Sequence, residues 1–378
     1  MTTTLYNTSL GLGAQLGKPA GGNRDFDPMT TPYAVDENDF PWSGPADEQA
    51  LFLLRYAVLA PSTHNTQPWK FGLVPGGVEV YADYSRRLPV VDPGNRELLM
   101  SVGAALFTLR VAAERFGMEC RVTYSPGGGS ERPLAVAQLA RRTSQEDAEE
   151  GIASLFGQIR RRHTNRHPFL YSRVPETILR RIRWLGASGQ ASLVVSTDGT
   201  VNSRVGELVA AADRMQLADP AFRGDLAEWI RPNWTQRTDG VTGAALGLNS
   251  VAAAIGSWTT RVIDRGPVRA AHDRNLCAEA PGLVVLEAED SVPHWLASGE
   301  LLQHLLLVLT REGLHHSYFN MPVQVPDLRV RLRALCGLRA WPQILLRIGF
   351  SLTEPAKTPR RPVHEVLLKG GSHGFERK

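Results

Sequence analysis

The chain has 378 residues, 43% hydrophobic and 21% charged, a composition that builds a sizeable core over more than one average domain. Its net charge of +4, from 42 basic and 38 acidic residues, is too small for this length to imply a nucleic-acid surface, and it suits a small anionic ligand equally well. Cys120, Cys277 and Cys336 are too few and too widely spaced for a disulfide framework or a zinc ribbon, residues 1–22 lack the basic-then-apolar signal pattern, and no apolar run is long enough to span a bilayer. These readings lead to the expectation of a cytoplasmic protein with a small-molecule ligand and neither a membrane nor a nucleic-acid partner.

Residues 1–40 carry no hydrophobic periodicity and are expected to form an arm. A helix is predicted from Pro45, a residue suited to a first turn, with Asp47 and Glu48 complementing its dipole and Ala50, Leu53, Leu54 and Ala57 on one apolar face. It stops at Ala60-Pro61, and a polar loop leads to Trp69. Residues 78–81 alternate like a strand, 83–95 form a loop, and 97–116 form a long helix closed by Gly117. Strands are expected at 122–124 and 134–139 around the glycine-rich turn 126–130, then a helix at 147–162. The same logic returns further on: a strand at 192–196, a helix at 201–215, a buried strand at 283–286, a helix at 292–311 closed by Gly313, and a strand at 345–348. Residues 219–266, with Trp229, Trp234, Trp258 and many Gly and Asn, read either as a lid-like insertion or as a peripheral helical pair. Residues 103–117 and 299–313 both run from a Gly through an apolar stretch, with a basic residue near the end, to a closing Gly, which suggests duplication.

Several common chemistries find no motif. Gly11-Leu-Gly-Ala-Gln-Leu-Gly17 has the wrong spacing for a dinucleotide fingerprint and no strand before it, and neither a Walker A loop nor a G-x-S-x-G elbow occurs. His163 and His167 stand four apart, but Pro168 breaks the helix that would align them and the arginines around them repel a cation, so no metal site is expected. Residues 160–169 crowd Arg160, Arg161, Arg162, His163, Arg166 and His167 at one turn. That cluster reads as a solvated basic surface or as a set of forked donors for phosphate oxygens. Residues 60–69 form a proline-restricted loop rich in hydroxyls and amides, which reads as a helix-capping loop or as a reader of a heterocycle edge. Arg360 and Arg361, between Pro359 and Pro362, form a further fixed pair.

Ala60-Pro-Ser-Thr-His-Asn-Thr-Gln-Pro-Trp69 resembles the A-P-S-x-x-N-x-Q-P-W segment of the nitroreductase family, Arg161-Arg-His-Thr-Asn-Arg166 with Phe169 resembles its R-R-S-x-R-x-F segment, and Arg360 its closing R-x-P. In the family the basic motif precedes the other within one subunit of a homodimer. Here it follows by about a hundred residues, an order similar to the Acg-type branch, in which one chain imitates the dimer. The resemblance implies an α+β fold of two pseudo-symmetric lobes: 41–150, and 151–368 with the insertion at about 219–266, followed by a tail at 369–378. It implies a monomer whose FMN is held by Pro61, Ser62, Thr63, Asn65 and Gln67 from one half. Arg161, Arg162, Thr164, Arg166, Pro322, Gln324 and Arg360 would come from the other. NAD(P)H would be the reductant, and a nitro-aromatic, a quinone or a related small molecule the acceptor. No catalytic side chain is implied. In the family's P-x-E-G segment Gln324 replaces the glutamate, so no carboxylate is expected there, and Thr358 stands where a lysine is usual. The alternatives are a flavin-binding or flavin-sequestering protein without turnover, and a flavin oxidase of small-molecule biosynthesis. The half-motifs are not repeated, so one composite site is expected.

Overall fold

The computed structural model describes residues 27, 30–125, 131–142, 151–186 and 189–368. The near-miss glycine segment 11–17, the turn 126–130, the predicted helix start at 147 and the tail lie outside them. In the first lobe α1 (Ala46–Ala57) leads to β1 (Trp69–Val74) and β2 (Gly77–Ala82), then α2 (Arg96–Arg115), β3 (Met118–Tyr124) and β4 (Ala135–Arg141). After a 3-10 segment at Ile152–Gln158 the second lobe opens with α3 (Glu176–Leu185) and β5 (Ala191–Ser196). An excursion follows: α4 (Gly199–Ala218), α5 (Pro220–Ala227), a parallel pair β6 (Ile230–Arg231) and β7 (Val241–Thr242), α6 (Ser250–Ala254), α7 (Gly256–Val262) and α8 (Gly266–Ala278). Then come β8 (Gly282–Ala288), α9 (Val292–Arg311), β9 (His315–Tyr318), α10 (Met321–Gln324), α11 (Pro326–Leu335), β10 (Trp341–Gly349) and α12 (Val363–Val366).

The two lobes share one topology. Each holds a four-stranded antiparallel sheet, β1-β2-β4-β3 and β5-β8-β10-β9, with the strands in the same order along the chain and a twenty-residue helix between the second and third. The expected α+β arrangement of two related lobes is the one observed. They differ at two connections: α10 and α11 lie between the third and fourth strands of the second lobe, and the first two strands are joined differently. In the first lobe Pro75 and Gly76 close a two-residue hairpin, Gly76 taking the left-handed conformation (φ 72°) that such a turn requires. The second lobe places the whole α4–α8 excursion at that point.

The long helices α2 and α9 pack against each other at paired glycines. A β-carbon on Gly103 would stand 2.1 Å from the Leu296 carbonyl oxygen, and one on Gly299 would stand 1.9 Å from that of Met100. Met100 lies three residues before Gly103 and Leu296 three before Gly299, so the contact is reciprocal, as across a two-fold interface. Around this crossing the first core gathers Phe71, Val78, Val80 and Ala137 on one face of the first sheet, leaving β3 half solvated. The second sheet is covered on both faces. Val284 and Leu286 join the α3 and α9 layer, while Leu283, Val285 and Leu345 join the α4 and α8 layer, which explains the continuous apolar run of β8.

Three expectations need correction. Within the expected arm, residues 31–39 make short 3-10 turns, and Tyr33, Val35 and Phe40 are buried in the first core. The described part of the predicted 147–162 helix is 3-10, not α, with Leu155, Phe156 and Ile159 in that same core. The halves also interlock: Leu367 bridges Phe71 of β1 in parallel and Val366 is fully buried in the first core, so a division at 150 does not separate two closed cores.

Candidate functional site

Three segments remote in sequence enclose one cavity of about 420 Å³: the loop after α1, residues 162–166, and residues 356–360. The first turns of α2, the end of β9 with α10, Leu302 of α9, Ile344 of β10 and the excursion α4–α8 complete the wall.

The loop after α1 is conformationally strained. His64, Asn65 and Gln67 all adopt positive φ (51°, 56° and 51°), a costly region for non-glycine residues that persists only where the surroundings dictate it. Those surroundings are identifiable. Asn65 Nδ2 donates to the Gly240 and Pro359 carbonyls, each at 2.9 Å, and Asn65 Oδ1 accepts from Arg360 Nη1 at 2.9 Å. Gln67 Nε2 donates to Thr238 O (2.8 Å), and Gln67 Oε1 accepts from Arg361 N (2.8 Å). The loop is thereby stapled to both the excursion and the closing segment. Pro61, Ser62, Thr63 and Asn65 line the cavity. Gln67 does not: it is fully buried, with both amide atoms engaged by protein, which corrects its expected place on the wall.

In the basic segment the turn decides which arginine faces inward. Arg162, Thr164 and Arg166 line the cavity, whereas Arg161 is exposed and lies off it, a second correction. Asn165 fixes the turn by donating from its backbone to His316 O (2.9 Å) and from Nδ2 to Thr353 O (2.8 Å). Arg162 is 3% exposed, and its side chain has no hydrogen bond or ion pair among the described residues; Nε is a buried donor without a partner. Arg360, 2% exposed, spends Nη1 on Asn65 and on Thr358 Oγ1 (2.6 Å), and its Nε is likewise unpartnered. Arg166 Nη1 donates to Ala245 O at 2.8 Å. Among the described residues none of the three meets a carboxylate. Burial, then the charge of Arg360, pulls the Arg162 guanidinium down to about 10; burial, then Arg269, does the same to Arg166. Nearby His163 falls to about 3 through burial and the charges of Arg162 and Arg360, so its imidazole is neutral. Buried cations that repel one another and lack counter-charge, with donors left open, are the chemistry of an anion site.

Where the sequence predicts no carboxylate, the structure supplies one. Glu97, 2% exposed in the first turn of α2, lines the cavity beside Gln324 and Asn320. It accepts from Thr63 Oγ1 (2.8 Å), Arg96 Nη2 (3.0 Å) and Gln324 Nε2 (2.9 Å), linking the two lobes at the wall. In the sequence Glu97 reads only as the start of the long helix at 97–116, and nothing local marks it as buried. Gln324 lines the cavity; Pro322, inside α10, is buried but off the wall, a third correction. The excursion contributes Phe222, Leu226, Trp229 and Ile230, together with Asp213 and Gln216 of α4. Asp239 pins this excursion to the first lobe by pairing with Arg86, Arg231 (2.8 Å) and Arg237 (3.3 Å). The excursion extends beyond 219–266 on both sides, from Gly199 of α4 to Ala278 of α8, and walls one side of the cavity.

No protein-family model matches the chain. Over 338 residues it is 27% identical to "Uncharacterized protein Rv3127" of Mycobacterium tuberculosis, covering 83% of this chain and 92% of that one. Over 328 residues it is 28% identical to "Putative NAD(P)H nitroreductase acg" of the same species, covering 83% and 93%. Among solved structures it is similar to an FMN- and NADPH-dependent nitroreductase NfnB from a Sphigopyxis strain, with 20% identity, a TM-score of 0.38, and 58% of this chain and 99% of that one covered. Over most of its length the chain is thus similar to proteins named as NAD(P)H nitroreductases.

Proposed function

We propose that the cavity between the lobes binds FMN and that the protein is an NAD(P)H-dependent oxidoreductase acting on nitro-aromatic, quinone or related small acceptors. The observation that carries this reading is the convergence on one cavity wall of two motif segments from opposite halves, with the Arg162 and Arg360 Nε donors buried and unpartnered. A phosphate dianion supplies the counter-charge these guanidiniums lack. Arg162 and Arg360 would hold the phosphate, with Arg166 beside them. Ser62, Thr63 and Thr164 offer hydroxyls to a polyol chain, and Pro61 and Asn65 shape the same wall. When bound, FMN supplies two-electron transfer between a reduced nicotinamide and the acceptor. The chain's own part is to orient the cofactor and to restrict water through the excursion over the cavity. Glu97, held by Thr63, Arg96 and Gln324, fixes the wall where the two lobes meet. The relatives named as NAD(P)H nitroreductases support the same reading.

The test is direct. The purified protein, as isolated and after mixing with FMN, should show flavin absorbance and oxidise NADPH in the presence of a nitro-aromatic or quinone. Absence of flavin absorbance, of FMN binding and of NADPH oxidation together defeats the proposal. The stapling of the excursion by Asn65, Gln67 and Asp239 favours a second reading, a flavin-binding protein without turnover; FMN binding with no acceptor reduced across a panel would select it. The reciprocal crossing of α2 and α9 supports a monomer under either reading, and light scattering tests it. Among the described residues no helix is long and apolar enough to cross a membrane.

A further inference from the structure

Beyond the arginines, the part of the cavity walled by the excursion has its own chemistry. Its surface is largely apolar, from Leu217, Phe222, Leu226, Trp229 and Ile230, yet two polar side chains of α4, one turn apart, open onto it. Asp213 is 4% exposed and its Oδ2 has no hydrogen-bond partner among the described residues; Gln216 is 8% exposed and its Oε1 has none among them either. The Gln216 amide nitrogen is already engaged, donating to Gln324 Oε1 at 2.9 Å, which leaves its oxygen as the free atom. Two neighbouring buried acceptors without donors in an apolar chamber are costly unless something donates to them. The neighbouring cations do not fill that role: Arg269 donates instead to Asp273 (2.6 Å), and Arg166 to the Ala245 carbonyl.

Resting on the proposed oxidoreductase reading, we propose that this chamber is the acceptor subsite. It takes a flat apolar ring bearing a hydrogen-bond donor, a hydroxyl or amino substituent, with Gln216 Oε1 and, in its carboxylate form, Asp213 Oδ2 accepting from it. The ring lies among Phe222, Leu226 and Trp229, and the donor group sets its orientation. A ring of the same size with a methyl in place of the donor leaves both oxygens unsatisfied and is disfavoured.

The experiment uses the full chain with FMN and two probes of nearly equal shape, 4-nitroaniline and 4-nitrotoluene. Binding is read without NADPH, from the quenching of tryptophan fluorescence that a Trp229→Phe variant lacks; KM and kcat are read with NADPH. The wild type should bind 4-nitroaniline roughly tenfold more tightly, the worth of one to two hydrogen bonds. The preference should disappear from KM in Asp213→Leu and shrink in Gln216→Leu. It should survive in Asp213→Asn, which keeps an acceptor oxygen. Equal binding of both probes by the wild type, or an undiminished preference in folded Asp213→Leu, overturns the proposal. The fluorescence titration needs no turnover, and flavin absorbance is recorded for every variant. A protein that prefers 4-nitroaniline but binds no FMN therefore sinks the flavin reading and leaves the subsite standing. Normal flavin chemistry without the preference does the reverse.

Discussion

The faces of α2 and α9 on either side of their crossing are built on the same plan and end in opposite states. On α2 the residue after Gly103 is Ala104, and the small side chain leaves cavity wall beside Met100 and Ser101. On α9 the residue after Gly299 is Glu300, and the equivalent space is filled. Arg110 pairs with its carboxylate at 2.6 Å, Tyr124 donates to it, and His304 stacks on Phe107 with ring centroids 4.8 Å apart. The basic turn 162–166 serves one face only, and the segment ahead of α1 carries Asp36, Glu37 and Asp39. The two lobes thus share a frame, the glycine crossing and the strand order, while the side chains on either side of the crossing differ in size and charge.

If the frame is symmetric, breaking it from either side should be equally severe. Gly103→Ala and Gly299→Ala each drive a β-carbon into a backbone carbonyl that has no flexible end to yield. Each should cost on the order of 4 kcal/mol or more, showing as a large fall in denaturation midpoint or as loss of soluble protein. A small effect from one and a large effect from the other would show that the crossing is not the reciprocal contact described.

The second test concerns the α4–α8 excursion, which has no counterpart in the first lobe. Burial, then the neighbouring Asp273 carboxylate, raises Asp213 from 3.8 to about 7 against the opposing pull of Arg269 and Arg214. The native state therefore holds this proton more tightly than the unfolded chain. The stability it contributes is complete below about pH 4 and is lost as pH rises towards 7, at about 1.4 kcal/mol per unit and about 4 kcal/mol in all. Asp213→Asn should melt above the wild type at pH 7 and beyond, with the gap closing in acid. Parallel melting curves at all pH values would contradict it.

Much of this was legible in the sequence. The helices α2 and α9 and the central strands β8 and β10 were readable because long apolar faces and closing glycines are local signals. The 3-10 segment at 152–158 was not, because Leu155, Phe156 and Ile159 are apolar at spacings that also suit an α-helix. The strand His315–Tyr318 carries no β-branched or alternating apolar pattern; its place is set by pairing with β10. At the site, residue types were readable and directions were not. Arg161 and Arg162 are adjacent and chemically identical, and only the turn fixed by Asn165 decides which is buried. Glu97 and Asp213 become site residues through the packing of distant elements, which no local pattern records.

That difference of direction gives the third test. Arg162→Ala removes a buried donor set from the proposed phosphate position and should weaken FMN binding by roughly 10- to 100-fold, about 1.5–3 kcal/mol. Arg161→Ala, on the exposed side of the same turn, should leave it within a factor of two or so, as surface substitutions commonly do. Flavin fluorescence titration reads both, and equal losses would mean that the anion is not held where the cavity places it.

The smallest effect is expected on the filled face, and it discriminates most sharply between frame and site. Burial raises the Glu300 carboxyl against the pull of Arg110, so the Arg110–Glu300 pair contributes little beyond filling space. Glu300→Ala should cost only about 1–2 kcal/mol in a denaturant melt. It opens volume beside α9 but brings no unpartnered arginine to it, so FMN should still bind at one per chain in an equilibrium titration. A second equivalent of FMN taken up by this variant would mean that vacant space, rather than the buried guanidiniums of Arg162 and Arg360, is what makes the site.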